Sequence, residues 1–429
     1  MKANKWANII SLNTVYACAI INAILFLLIY EPNSSYPDSI TYIKAWHEFS
    51  NGNIDSFRTP TYPFIYGLCE TIIGERFAIL SVIVLQHIVF LLSIRCFYHL
   101  ALATTASKKI AFGISLVYAL CPTITSWNLL FLTESFTISF SVICIYAFIR
   151  SVERESIGYS ILFSVFLFLL IFLRPAQIYY IPATILICFA LIKKYPCRVL
   201  LPNFAGAIIV LGCILGYMYA FEQRYGIFAS SSVSVGNQYY LARQYGYLDS
   251  SVIKNPDLRT YVEQSYKNDG KYLDYAQTSD FYSGLKQFNY PLAEKNEDLK
   301  LSIKSNKKDW LKGIYKRFRD GSVYPVLTSY TRTFYGLVNF GSPNFRFVFI
   351  LIIGTVVLLI KSFRKRTFPW ITSLLLMLIA SNLFVTFIGA QDEWPRLNVP
   401  IMPFVFIIFA IVINTLGNHI YGRSSPRLF

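Results

Sequence analysis

The chain has 429 residues, of which 55% are hydrophobic, 17% aromatic and only 14% charged. A soluble globular domain is about a quarter charged, so this deficit excludes a cytosolic enzyme and a disordered scaffold. The net charge of +16 invites a nucleic-acid partner, but many of the basic residues fall in short connectors between apolar runs. There Lys and Arg resist translocation and set topology, so no nucleic acid is expected as a partner. The eight Cys are scattered without a C-x-x-C spacing, which indicates neither a zinc site nor a disulfide framework.

Apolar runs long enough to cross a bilayer, at about 20 residues each, recur along nearly the whole chain. They predict an all-α polytopic membrane protein with about ten transmembrane helices. The first spans 8–30, behind Lys2 and Lys5, and is read as an uncleaved span although Cys18 follows a faint lipoprotein-like signal. A polar outer loop, 31–76, follows. Span 77–100 returns to a turn carrying Lys108 and Lys109. The hairpin 110–127 and 130–149 comes back to Arg150 and Arg154. A second hairpin, 157–173 and 178–192, ends at Lys193, Lys194 and Arg198. Span 199–221 leads out to a long hydrophilic region, and 347–360, 370–388 and 399–416 complete the set. Lys361, Arg364, Lys365 and Arg366, with Arg423 and Arg427 of the tail, lie on the basic side. This alternation predicts both termini in the cytoplasm. Three parts follow: a transmembrane module 1–221, an extracytoplasmic region 222–345, and a transmembrane module 346–429.

A loop as long as 222–345 needs structure of its own. It is rich in Tyr, including Tyr239, Tyr240, Tyr245, Tyr247, Tyr261, Tyr266 and Tyr272. Such rings either stack on sugars or sit at the membrane–water interface, where amphipathic residues gather. Trp310, Leu311, Ile314, Tyr315 and Phe318 recur at helical spacing, with Lys308, Lys312, Lys316 and Arg319 opposite. That pattern suits a helix lying on an anionic surface, and equally one holding a lipid phosphate.

Three outer-side clusters carry ionisable groups where the membrane makes them costly. In Tyr36-Pro37-Asp38-Ser39-Ile40-Thr41-Tyr42-Ile43, Pro37 and Ser39 fit the opening of a short helix with Tyr42, Trp46 and Phe49 on one stripe. Asp38 at its N-terminus is favoured in its charged form, as a base requires, or serves only as the cap. Leu132-Thr133-Glu134-Ser135 places Glu134 about one turn inside the fourth span. A carboxylate there either faces a polar cavity or bonds Thr125, Ser126 or Asn128 across the hairpin. The third cluster is cationic: Arg174-Pro175, and Trp394-Pro395-Arg396-Leu397-Asn398-Val399-Pro400, joined by Arg58 in Arg58-Thr59-Pro60-Thr61-Tyr62-Pro63. The planar guanidinium fork suits phosphate; the alternative for Arg174 is a snorkelling headgroup contact. Tyr42 and Tyr62 offer aromatic faces for a sugar substrate. His87, mid-span beside Gln86, reads as an interhelical hydrogen bonder or a proton carrier.

In this order and sidedness the series resembles the C-type integral membrane glycosyltransferases that use polyprenyl-phosphate sugars. Within that group it is similar to bacterial relatives of protein mannosyltransferases and of the lipid A aminoarabinose transferase. The resemblance covers residues 1 to about 220 and 392–403. It implies Asp38 as catalytic base, Glu134 as a second acid orienting the acceptor or a divalent cation, and Arg396 as the residue holding the lipid phosphate, with Arg58 and Arg174 beside it. Many relatives carry a second acid directly after the first-loop Asp, where this chain has Ser39. No cofactor is therefore certain, and a divalent cation on Asp38 and Glu134 stays open. The implied partners are a polyprenyl-phosphate sugar donor, membrane lipids and a lipid, glycan or protein acceptor. The implied location is the plasma (inner) membrane with an extracytoplasmic site. Two rival classes remain. A polysaccharide polymerase or ligase would rely on Arg224, Arg243 or Arg332. A flippase or transporter would carry charges at mid-membrane depth.

Overall fold

The computed structural model describes residues 11–29, 38–285, 287–288, 290–320, 351–361, 369–389 and 397–420. Arg396, Arg332, Lys2, Lys5, residues 362–368 and both tail arginines lie outside them. Every regular element among the described residues is helical. Helix α1 spans Leu12–Ile29, and the first long loop then forms α2 (Ser39–Ser50) and α3 (Thr61–Ile73). Next come α4 (Glu75–Thr105), α5 (Lys108–Leu120), the short α6 (Pro122–Trp127), α7 (Glu134–Glu153) and α8 (Ile157–Leu173). A 3-10 turn at Pro175–Tyr179 leads into α9 (Tyr180–Leu191) and α10 (Cys197–Tyr225). Helices α11 (Val233–Gln244), α12 (Pro256–Asp269), α13 (Tyr275–Leu285), α14 (Leu292–Ser305) and α15 (Lys307–Asp320) occupy the long hydrophilic region. The last helices are α16 (Leu351–Lys361), α17 (Trp370–Gly389) and, after a turn at Val399–Ile401, α18 (Met402–Ile420).

Five helical stretches are long and apolar enough to cross a membrane: Leu12–Ile29, Glu75–Thr105, Glu134–Glu153, Cys197–Tyr225 and Val399–Gly417. Shorter apolar helices occupy Ile157–Leu173, Pro175–Leu191, Leu351–Lys361 and Trp370–Thr386. This is a multi-pass membrane protein. Helix α7 is its axis, packed against α4 and α8, with Ile138, Val142 and Ile145 buried. Its Ser135, Thr137, Ser139 and Ser141 are small enough to let neighbouring backbones approach, as membrane helices require.

Two elements differ from the sequence expectation. The run 110–127 is not one helix, because Cys121 before Pro122 is extended (ψ 112°). A residue preceding proline is driven out of the helical region, and the proline lacks the donor to continue the ladder. The run 130–149 likewise begins later, at Glu134, leaving 128–133 as a buried connection.

In the first long loop, α2 packs on α3 through Trp46, whose indole Nε1 donates to Glu70 at 2.6 Å. A Cβ at Gly67 would overlap that indole directly. Gly67→Ala is expected to cost about 1–3 kcal/mol through forced repacking, read as a lower melting temperature in detergent. An unchanged melt would mean the α2–α3 contact is dispensable.

The hydrophilic region builds a second apolar core from Tyr239, Tyr240, Tyr247, Leu258, Val262, Phe281 and Leu299. The buried tyrosines therefore neither stack on a sugar nor lie at an interface; only Tyr272 of the series is exposed. Core packing won because the region has few aliphatic side chains, and a tyrosine ring supplies comparable apolar area. Three bonds tie this region to the first loop. Tyr225 Oη donates to the Ile54 carbonyl at 2.6 Å, Arg224 to Asn53 Oδ1 at 2.8 Å, and the Ser232 amide to the Ser56 carbonyl at 2.7 Å.

Candidate functional site

The site forms where the loop after α1 meets the buried 128–133 connection. A connection enclosed in apolar surroundings must find partners for its carbonyls. Gln86 Nε2, on α4, donates to the carbonyls of Asn128 (3.1 Å) and Leu130 (2.9 Å), and Ser39 Oγ, on α2, donates to that of Phe131 (3.0 Å). Asn128 Oδ1 accepts from Ser135 Oγ at 2.5 Å. The connection is thereby clamped between α2, α4 and α7, and it carries Glu134 at its far end.

Asp38 stands at the N-terminal end of α2 without a side-chain capping bond. Its carboxylate faces Arg58 instead, at 2.7 Å from the guanidinium. Arg58 also donates through Nε to Thr41 Oγ1 at 2.6 Å and lies over the Tyr42 ring at 4.3 Å. One guanidinium thus fixes both ends of the first turn of α2. The capping role that the sequence left open for Asp38 is not the one adopted.

Glu134 is the first residue of α7 rather than one turn inside it, and its side chain is 0% exposed. Arg174 approaches it to 3.7 Å. Pro175 explains the geometry: the residue before it is extended (φ −149°, ψ 96°), which ends α8 and turns Arg174 inward. A snorkelling Arg174 is excluded, since its side chain is 14% exposed and faces a buried acid. The hairpin partners proposed for Glu134 are engaged elsewhere: Thr125 accepts from Asn22 at 2.9 Å and Ser126 donates to the Thr123 carbonyl at 2.8 Å.

Between the two acid–arginine pairs lies an aromatic block. The Tyr42 and Tyr62 rings are 4.6 Å apart, and Tyr62 meets Phe131 at 5.1 Å and Phe136 at 6.0 Å. Both tyrosines are buried, so neither presents a stacking face in this structure. Tyr62 Oη donates to Gln86 Oε1 at 3.0 Å. Burial, reinforced by the negative fields of Tyr42 and Glu134, pushes its phenol well above the ordinary tyrosine range, which keeps it the donor in that bond.

Gln86 is the residue that sequence reasoning passed over in favour of its neighbour. An uncharged amide in an apolar span was the available signal, since polar groups at depth need partners. His87 is not the interhelical bonder expected of it: its Nδ1 pairs with the Ile83 carbonyl of its own helix at 2.9 Å. Arg224 and Arg243, the arginines on which a polymerase or ligase would rely, are both engaged in structural bonds. Arg224 bonds Asn53, and Arg243 is buried with its donors on Ser265, Gly270 and Lys271. The phosphate-binding expectation for Arg396 falls outside the described residues.

Among the described residues no three His, Cys, Asp or Glu side chains gather as a metal site. Asp38 and Glu134 each face a guanidinium that matches their charge. The described residues therefore do not fit a resident divalent cation.

The chain resembles the C-type integral membrane glycosyltransferases in motif order and in fold. Residues 58–219 match the model of the dolichyl-phosphate-mannose-protein mannosyltransferase family. That stretch contains Arg58, Tyr62, Glu134 and Arg174. The fold is similar to the crystal structure of the Archaeoglobus fulgidus oligosaccharyltransferase in the apo form. There the TM-score is 0.50 and the identity 13%, over 97% of this chain and 53% of that one. It is equally similar, at TM-score 0.50 and 12% identity over 97% and 52%, to the archaeal oligosaccharyltransferase AglB from Archaeoglobus fulgidus in complex with an inhibitory peptide and a dolichol-phosphate. The chain spans about half the length of these solved structures. No curated protein matches it in sequence.

Proposed function

We propose that this protein is a membrane glycosyltransferase that moves a sugar from a polyprenyl-monophosphate donor to a lipid, glycan or protein acceptor. The observation that carries the reading is the pairing of Asp38 with Arg58 and of Glu134 with Arg174 on either side of the clamped Phe131 connection. The match of 58–219 to a family named for a dolichyl-phosphate-sugar reaction supports the donor class. The dolichol-phosphate and inhibitory peptide in complex with the similar archaeal protein support a lipid-linked donor and a protein among the acceptors.

In this reading Asp38 accepts the acceptor's hydroxyl proton as the oxygen attacks the anomeric carbon. General-base catalysis of this kind contributes about 10²–10⁴-fold. Arg58 sets the carboxylate's direction by holding it together with Thr41. The leaving phosphate gathers negative charge, which a prepositioned arginine stabilises more in the transition state than in the ground state. Arg396 is assigned that role, while Arg174 balances the charge of Glu134. Sidedness in this reading follows the basic connectors, with both termini cytoplasmic and the site extracytoplasmic; the plasma membrane is the location that the resemblance to bacterial relatives implies.

Arg396→Lys is expected to raise the donor KM and lower turnover, because the bidentate fork is lost while the charge stays. Unchanged kinetics would remove Arg396 from phosphate binding. The test of the whole reading is deletion of the gene in its native host, with mass spectrometry of lipid-linked sugars and surface glycans. Accumulated polyprenyl-monophosphate sugar, with an acceptor lacking that residue, is the expected result. Accumulated diphosphate-linked oligosaccharide with short chains would overturn it in favour of a polymerase or ligase.

A further inference from the structure

The basic amphipathic helix α15 is not used by the reaction proposed above, and its tertiary setting changes which of its faces is free. Trp310 packs against the second apolar core, and Gly313 lies against Tyr245, where an added Cβ would come 3.0 Å from the Tyr245 Cβ. These residues turn one side of α15 into the protein. The opposite side stays open: Leu311 is 52% and Tyr315 65% exposed. Lys308 and Lys312 are exposed too, and in a helix residues 308, 311, 312 and 315 are mutual neighbours at spacings of three and four. Two apolar side chains and two ammonium groups therefore share one strip.

The strip continues onto a second segment. Tyr272 is 49% exposed, and Lys316 places its Nζ 4.7 Å from that ring's centroid. Lys271 beside it bonds Asp309 at 3.0 Å, which pins the 271–272 segment to α15. Lys312 lies 3.9 Å from the same Asp309, with its side chain 75% exposed. Four lysines thus surround three exposed apolar side chains, and Asp309 pairs with two of them, Lys271 and Lys312. Both α15 and α11 contact α17, an apolar helix, which places α15 beside the apolar helical bundle.

We infer that the strip formed by Lys308, Leu311, Lys312, Tyr315, Lys316 and Tyr272 rests on anionic phospholipid headgroups of the protein's own membrane. Leucine and tyrosine enter the boundary between headgroups and acyl chains, where apolar and amphipathic side chains are favoured. The lysines reach the phosphates around them, as basic residues next to a membrane do. Charge complementarity selects the occupant. A neutral glycan would not call for four ammonium groups, and an apolar protein partner would leave them desolvated.

The test uses the full chain in nanodiscs of pure phosphatidylcholine, and in nanodiscs of an equimolar mixture with phosphatidylglycerol, read by amide hydrogen exchange over 307–320. Exchange is expected to be slower by about tenfold or more in the anionic discs, the scale of several lysines meeting an anionic surface. High salt should remove the difference, because the contacts are exposed and screened. Lys308→Glu, Lys312→Glu and Lys316→Glu in one chain should remove it as well, while the exchange of 239–262 reports that the region still folds. Equal exchange in the two disc types would overturn the inference. So would protection that survives the triple variant, or that is already complete in detergent micelles, which would mean a segment of protein covers the strip. The readout does not depend on catalysis, so it stands or falls apart from the proposed transferase activity.

Discussion

Asp38→Asn is expected to fold and insert like the native protein while its turnover falls by about 10²–10⁴-fold, the usual contribution of a general base. The fold should survive because an asparagine oxygen still accepts the Arg58 hydrogen bond seen at 2.7 Å, and Arg58 keeps its second anchor on Thr41. The proton, however, has nowhere to go, since a carboxamide is not a base. The measurement is transfer of labelled sugar in membranes, with a size-exclusion profile as the control for folding. Native turnover in a correctly folded Asp38→Asn protein would remove Asp38 from the mechanism. A turnover loss accompanied by aggregation would move Asp38 from chemistry to structure.

Arg243→Leu is expected to destabilise the hydrophilic region by about 3–5 kcal/mol, since each stranded buried acceptor costs about 1–3 kcal/mol. The guanidinium donates to Ser265 Oγ at 2.9 Å, to the carbonyls of Ser265 (2.8 Å) and Gly270 (2.9 Å), and to that of Lys271 at 3.3 Å. It also stacks over Tyr266 at 4.0 Å. Leucine fills part of the space but leaves the buried Ser265 oxygens without this donor, while the carbonyls of the exposed Gly270 and Lys271 can turn to water. Faster amide exchange over 239–305 in the intact chain is the readout. Arg243→Lys should recover only part of the loss, because an ammonium cannot reach several carbonyls in one plane. The same pair of variants weighs against a polymerase or ligase. An Arg243→Lys protein that exchanges like the native one yet makes no product would give that arginine a chemical role.

The first-loop helix was legible because Tyr42, Trp46 and Phe49 recur at helical spacing after Pro37, and α15 because Trp310, Ile314 and their lysines do the same. The break at Cys121-Pro122 was also written in the chain, in the proline itself. Hydropathy hid it, since an apolar run scores alike whether or not its backbone is continuous. The pairings were not legible. Arg58 and Arg174 read as free cations for a phosphate, and nothing in local pattern says that Asp38 lies 20 residues from its partner or that Glu134 lies opposite the end of α8. The tyrosines of 239–247 show the same limit: composition alone cannot separate a ring that stacks on a ligand from one that fills a core.

By itself the sequence determined that this is a helical membrane protein, because every long apolar run must satisfy its own backbone hydrogen bonds in lipid. It also determined where acids and arginines cluster, because ionisable groups near a bilayer stand out against the apolar background. Only the tertiary structure decided which charges face each other, and that Gln86 rather than His87 holds the buried connection carrying Glu134. It also decided that α15 turns Trp310 inward and leaves Leu311 and Tyr315 open. The physical reason is that periodicity fixes the face of one helix, whereas charge pairing and burial depend on contacts between segments far apart in the chain.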